Sequence, residues 1–150
     1  MLPKKTKYAI KALILLARGY KESRPVRISK IAESEKIPRK FLEAIMVQLR
    51  NEGIVESKMG PTGGYYLIKH PEEVMLSTII RSTGGPIALL PCVSLNFYEK
   101  CDECIHEETC GLRDVVLEVR EASIKILSKT SLADIIMRES KLERKLKMRY

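Results

Sequence analysis

From Thr6 to Tyr20 the apolar residues Ala9, Leu13, Leu16 and Tyr20, with Ile10 and Ala17, recur at three- and four-residue spacing. That period predicts an amphipathic helix. The polar run from Lys21 to Pro25 ends in proline and predicts a connection. A short second helix follows from about Ser29 to Glu35, with Ile28, Ile31 and Ala32 facing inward. After a turn of about four residues, Pro38 takes the first position of a third helix. Its inward face is Phe41, Leu42, Ile45, Met46 and Leu49, and Gly53 closes it. Two β-prone runs around Gly60, Pro61, Gly63 and Gly64 then predict a hairpin over residues 54–69.

Two short helices joined by a tight turn and followed by a hairpin predict a winged helix-turn-helix, in a chain that is mainly α with one small β element. The third helix would then present Arg39, Lys40 and Glu43 to a DNA major groove, with Gln48 and Arg50 further along. Arg and Lys suit guanine N7 and O6, and Glu accepts from cytosine N4 or repels wrong bases. In the hairpin, Ser57, Lys58, Thr62 and Gly63 are the candidate phosphate contacts, glycine permitting close approach of main-chain N–H groups.

Charge supports a polyanionic partner. Residues 1–60 hold 14 Lys/Arg against 6 Asp/Glu, which accounts for the whole net charge of +8. Lysines and arginines gathered in one segment are what counterion release on a phosphate backbone requires. The plainer alternative is a basic surface kept for solubility.

Beyond the hairpin, Val74, Ile79 and Ile80 predict a short connecting helix from about Leu76, ending at Gly84 and Gly85. Leu112, Val115, Val116, Val119, Ala122, Ser123, Ile126 and Leu127 then form a stripe at helical spacing over more than four turns. Such a seam at the end of a small domain is most simply buried against a second copy, making residues 112–128 the expected homodimer contact. Packing onto its own domain is the alternative. A last short helix starts at Thr130 or Ser131, and a basic tail from Lys141 to Tyr150 is expected to fray. The expected division is therefore DNA binding in residues 1–83, a cysteine-rich loop in 84–111, and a dimerisation helix with its tail in 112–150.

Between the connecting helix and the long one lie all four cysteines: Cys92, Cys101, Cys104 and Cys110. The longest apolar stretch, Ala12 to Ala17, is far short of the roughly 20 residues that span a bilayer, so the chain is expected in the cytoplasm and off the membrane. In that reducing compartment clustered thiols point to metal or redox chemistry before disulfides. Four thiolates suit a 2Fe-2S or 4Fe-4S cluster, and equally a structural zinc. His106 is a spare donor. Metal-free thiol sensing is a third reading, which the acidic neighbours Glu99, Asp102, Glu103, Glu107 and Glu108 disfavour.

The order and spacing of "TKYAIKALILLA", "ISKIAESEKIPRKFLEAIMVQLRNEGIVES", "GPTGGYYL", "GGPIALLPC" and "CGLRDVVLEVREASIKILSKTSLADI" resemble the IscR/NsrR/CymR family of bacterial winged-helix repressors over roughly residues 5–137. The resemblance implies a homodimeric DNA-binding regulator in which the long helix crosses its mate and the preceding loop holds an iron-sulfur cluster. Two positions depart from the family pattern. Met59 stands where relatives commonly carry an arginine before the wing glycine, and Lys7 where some supply a carboxylate ligand from helix one.

No Ser-His-Asp arrangement, phosphate-binding glycine loop or paired catalytic carboxylates stand out, and His70 and His106 are the only histidines. An enzyme is not expected. A cluster-bearing electron carrier remains as a rival class, but it would have no use for a basic winged helix.

Overall fold

The computed structural model describes residues 2–22 and 24–149; Ser23 of the expected connection and Tyr150 of the expected tail lie outside them. Among the described residues, six α-helices and one hairpin follow in order: α1 (Lys4–Arg18), α2 (Ile28–Glu35), α3 (Arg39–Asn51), β1 (Val55–Lys58), β2 (Gly64–Leu67), α4 (Leu76–Gly84), α5 (Gly111–Leu127) and α6 (Leu132–Lys147). The chain is thus mainly helical, with a winged helix-turn-helix as its body.

α1 is the centre of the core. Its Ala9, Ala12, Leu13, Leu16 and Ala17 are buried against Ile31 of α2, Leu42, Ile45, Met46 and Leu49 of α3, and Ile79 of α4. Each fully buried leucine of this set contributes about 1.5–3 kcal/mol by leaving water. Phe41, expected inside, stands half out of the core instead and meets Tyr8 edge to face with ring centres 5.8 Å apart.

The turn between α2 and α3 is set by two main-chain bonds. Lys36 adopts the left-handed conformation at φ 54°, and its N–H donates to Glu33 at 3.3 Å while Ile37 N–H donates to Ala32 at 2.9 Å. This is a Schellman closure, with buried Ile37 as its hydrophobic anchor. Pro38 is extended (ψ 126°) and precedes α3, one position earlier than the sequence suggests.

The hairpin pairs β1 with β2 antiparallel, Val55 opposite Leu67 and Lys58 opposite Gly64. Val26 adds a single rung on the free edge of β2, exchanging two 2.8 Å bonds with Tyr65. That rung ties the wing to the entry of α2. It also requires glycine at position 64, where an added Cβ would lie 2.4 Å from the Val26 carbonyl carbon.

The C-terminal part departs most from expectation. α6 is 16 residues long and continues to Lys147, where a short helix and a fraying tail were anticipated. Ser131 and Asp134 form a capping box at its start. A bridge between Met75 and Ser131, with Leu132 fully buried in the main core, returns α6 to the winged helix body. Arg18 and Glu139 close the contact between α1 and α6 at 2.6 Å. α5 stands apart: Val116 packs with Cys92 and Val93 in a second small core, while Leu112, Val115, Val119 and Ile126 are exposed.

Candidate nucleic-acid interface and cysteine site

The first turn of α3 presents Arg39, Lys40 and Glu43 to solvent. Arg39 Nε donates to Glu43 Oε1 at 3.0 Å, a surface pair four residues apart that is worth only a few tenths of a kcal/mol and so exchanges readily for a base or a phosphate. Between this turn and the wing lies a cleft of about 540 Å³ lined by Arg27, Arg39, Arg50, Ser57, Lys58 and Met59, among others. Its side walls carry four cations and no carboxylate.

Within the cleft Arg50 Nη1 donates to Ser57 Oγ at 3.4 Å, and Arg27 donates to the Pro61 carbonyl, bracing the wing tip from α2. Lys58 and Thr62 are exposed on the hairpin. Gly63 is buried in it: its N–H donates to Gly60 at 3.0 Å, and a Cβ there would stand 2.1 Å from the Lys58 carbonyl oxygen. Its glycine identity follows from the tightness of the turn. Gln48, expected on the exposed face, is half-buried and donates to the Ser82 carbonyl, so it fastens α3 to α4.

Arg27 and Tyr65 line the same cleft, a placement that periodicity does not reveal. Arg27 lies outside the helical pattern, and the Val26–Tyr65 rung is a single pair with no alternation to read. The cue available was a β-prone valine after Pro25, ahead of a hairpin in need of a third strand.

The second site is built on two single 3₁₀ turns, Pro91–Val93 and Glu107–Thr109, that flank the cysteine loop. Cys92 is 7% exposed, with Cys101 packed beside its small core. Cys104 N–H donates to the Cys101 carbonyl at 3.1 Å, closing the Cys-x-x-Cys turn. Cys110 Sγ caps α5 by accepting the Arg113 N–H at 3.4 Å. Tyr98 donates its phenol proton to Glu107 Oε2 at 2.8 Å, which joins the two halves of the loop and raises the phenol pKa.

All four thiols are free. The Cys104 thiol is pushed up to about 11, first by its hydrogen bond to Cys101, then by burial, then by Cys110. A bound metal cation would compensate the charge of a Cys104 thiolate set beside Cys101 and Cys110. They are neighbours, not a finished cage: among the described residues no three His, Cys, Asp or Glu donors stand at metal-binding geometry. His106 is exposed. Soft thiolates fit either an iron-sulfur cluster or zinc. Glu107 Oε1 and Arg113 Nε, buried without a hydrogen-bond partner, belong to the same loop and its helix.

The family model for Rrf2, described as iron-dependent transcriptional regulator, matches residues 2–138. The chain belongs to the Rrf2 family. An Rrf2-like HTH-type transcriptional regulator of Rhodobacter capsulatus is 39% identical over 138 residues, covering 91% of this chain and 92% of that one. The regulator NsrR of Geobacillus kaustophilus is 30% identical over 144 residues, covering 96% and 95%. Among solved structures, CymR, the global cysteine regulator of B. subtilis, superposes with a TM-score of 0.74 at 28% identity over 90% of this chain and 95% of that one.

Rrf2 membership makes the chain a transcriptional regulator of a DNA-binding family, not an enzyme, as the order of motifs implies. No helix among the described residues is long and apolar enough to cross a membrane. Of the positions where this Rrf2 protein departs from the family pattern, Met59 is 90% exposed at the wing tip and Lys7 is exposed on α1. The last turns of α6, beyond Arg138, lie outside the matched span.

Proposed function

We propose that this protein is a cytoplasmic, homodimeric repressor whose affinity for its operator is set by an iron-sulfur cluster, 2Fe-2S or 4Fe-4S, held by Cys92, Cys101, Cys104 and Cys110. Residues 1–83 bind double-stranded DNA, residues 84–111 hold the cluster, and residues 112–128 pair with the second copy. Arg39, Lys40 and Glu43 read bases, while Ser57, Lys58 and Thr62 lie along the backbone on the turn that Gly63 shapes.

The observation that carries the regulatory reading is the junction of loop and helix. Cys110 is the cap of α5, and Arg120, nearly three turns further on, donates to the Val93 carbonyl beside Cys92. The segment holding the thiols and the helix bearing the exposed apolar stripe are thus one mechanical piece. Ordering the thiols fixes the angle at which α5 leaves, and with it the separation of two recognition helices. Half-sites on DNA are spaced by about one turn, ~34 Å, so a shift of a few ångströms changes the fit.

When bound, a cluster would supply a redox- and ligand-sensitive group whose loss or oxidation is the signal. The protein's own residues do the rest: Cys110 and Arg120 carry the loop's position to α5, and the basic cleft supplies the electrostatic attraction to phosphate. Anaerobic purification followed by iron, sulfide and zinc assays on one sample tests the reading. Iron and sulfide in near-equal amounts support it. A colourless protein with one zinc per chain makes the loop a structural knot and removes the sensing role, leaving DNA binding intact.

A further inference from the structure

Among the described residues, the buried side-chain nitrogen and oxygen atoms without a hydrogen-bond partner are Arg113 Nε and Glu107 Oε1. Both border the thiols. A buried guanidinium N–H left unpaired costs free energy, and its persistence calls for a partner that the protein chain does not supply. Arg113 stands in the first turn of α5, where helical side chains lean back toward the N-terminus and so over Cys110. Its main-chain N–H is already committed to Cys110 Sγ. Arg113 thus stands at the Cys110 end of the cysteine segment.

We propose that Arg113 Nε–H is a hydrogen-bond donor to sulfur of the group bound by the four cysteines, a role that rests on the iron-sulfur reading above. A cationic donor against sulfur stabilises the more negative, reduced state of a cluster and raises its potential. Glu107 accepts the Tyr98 phenol proton on its other oxygen. Arg113 therefore makes the cluster easier to reduce and retains it in the loop.

The test uses full-length wild-type, Arg113→Gln and Arg113→Lys proteins purified anaerobically, with iron and sulfide content, visible spectrum, circular dichroism and midpoint potential measured on each. Arg113→Gln is expected to fold and to show a more negative midpoint potential with shifted visible bands. Arg113→Lys, which keeps the charge without the planar N–H, is expected to recover only part of the shift. A folded Arg113→Gln protein that loses iron and sulfide also supports the assignment, provided Arg113→Lys retains some of both. Variants that match the wild type in potential, bands and iron content overturn it. A wild-type protein that takes up no iron and sulfide overturns the cluster reading itself, and this assignment with it.

Discussion

Cys110 Sγ accepts the main-chain N–H of Arg113 at 3.4 Å, so one sulfur both ends the cysteine loop and begins the long helix. The two roles separate by substitution. Cys110→Ser keeps a capping oxygen but loses the soft ligand, whereas Cys110→Ala loses both. In thermal unfolding of the metal-free proteins, Ser is expected within a few tenths of a kcal/mol of wild type and Ala lower by up to about 1 kcal/mol. Both are expected to lose iron. Retention of full iron by Cys110→Ser would remove the ligand role.

The proposed DNA interface assigns sequence reading to α3 and phosphate contact to the wing, and substitution separates the two. Arg39→Ala is expected to change base preference in a selection from random DNA, with a penalty of about 1–3 kcal/mol at the preferred site. Lys58→Ala is expected to weaken all sequences alike and to reduce the salt slope by about one. Met59→Arg, by adding a cation at the most exposed point of the wing, is expected to tighten binding and steepen that slope. Equal losses on every sequence for Arg39→Ala and Lys58→Ala would defeat the distinction.

Gly64→Ala tests the wing as a built object. The new methyl would enter the Val26 main chain at 2.4 Å, at a residue whose φ is +149°. The rung from Val26 to Tyr65 must open. Affinity is expected to fall for all DNA sequences, with a stability loss of about 1–3 kcal/mol in denaturant titration. In contrast, Lys36→Gly relieves a left-handed lysine at the Schellman turn and is expected to raise stability by up to about 1 kcal/mol.

The capping box of α6 predicts a dependence on pH. Asp134 accepts the Ser131 N–H and hydroxyl, each at 2.8 Å, and these bonds hold its carboxyl below its ordinary value. A carboxyl depressed in the folded state adds stability that is present above its unfolded pKa, about 3.9, and lost as pH falls through the folded value. Asp134→Asn is therefore expected to flatten the fall in stability below pH 4. Ser131→Ala is expected to cost about 1 kcal/mol at neutral pH. Urea titrations at pH 7 and pH 3 measure both.

The winged helix was legible because its elements carry their own signals: the three- and four-residue apolar period of α1, and the glycines that bend the hairpin. What escaped reading depends on partners far along the chain. Gln48 looks like any exposed polar residue until Ser82 is brought beside it. The length of α6 was hidden because Leu142 and Leu146 lie among Lys141, Arg144, Lys145 and Lys147, and a charged run reads as a tail. At the cysteine loop the residue type was plain, but the capping role of Cys110 and the buried Arg113 Nε exist only once the loop meets α5.

Coupling of the cysteine site to DNA is tested most directly by binding one anaerobic sample to its selected operator before and after removal of iron and sulfide, at fixed salt. Removal is expected to change affinity strongly, with Cys104→Ala fixed at the metal-free value throughout. Equal affinity in the two states, with the cluster present in the first, would contradict it.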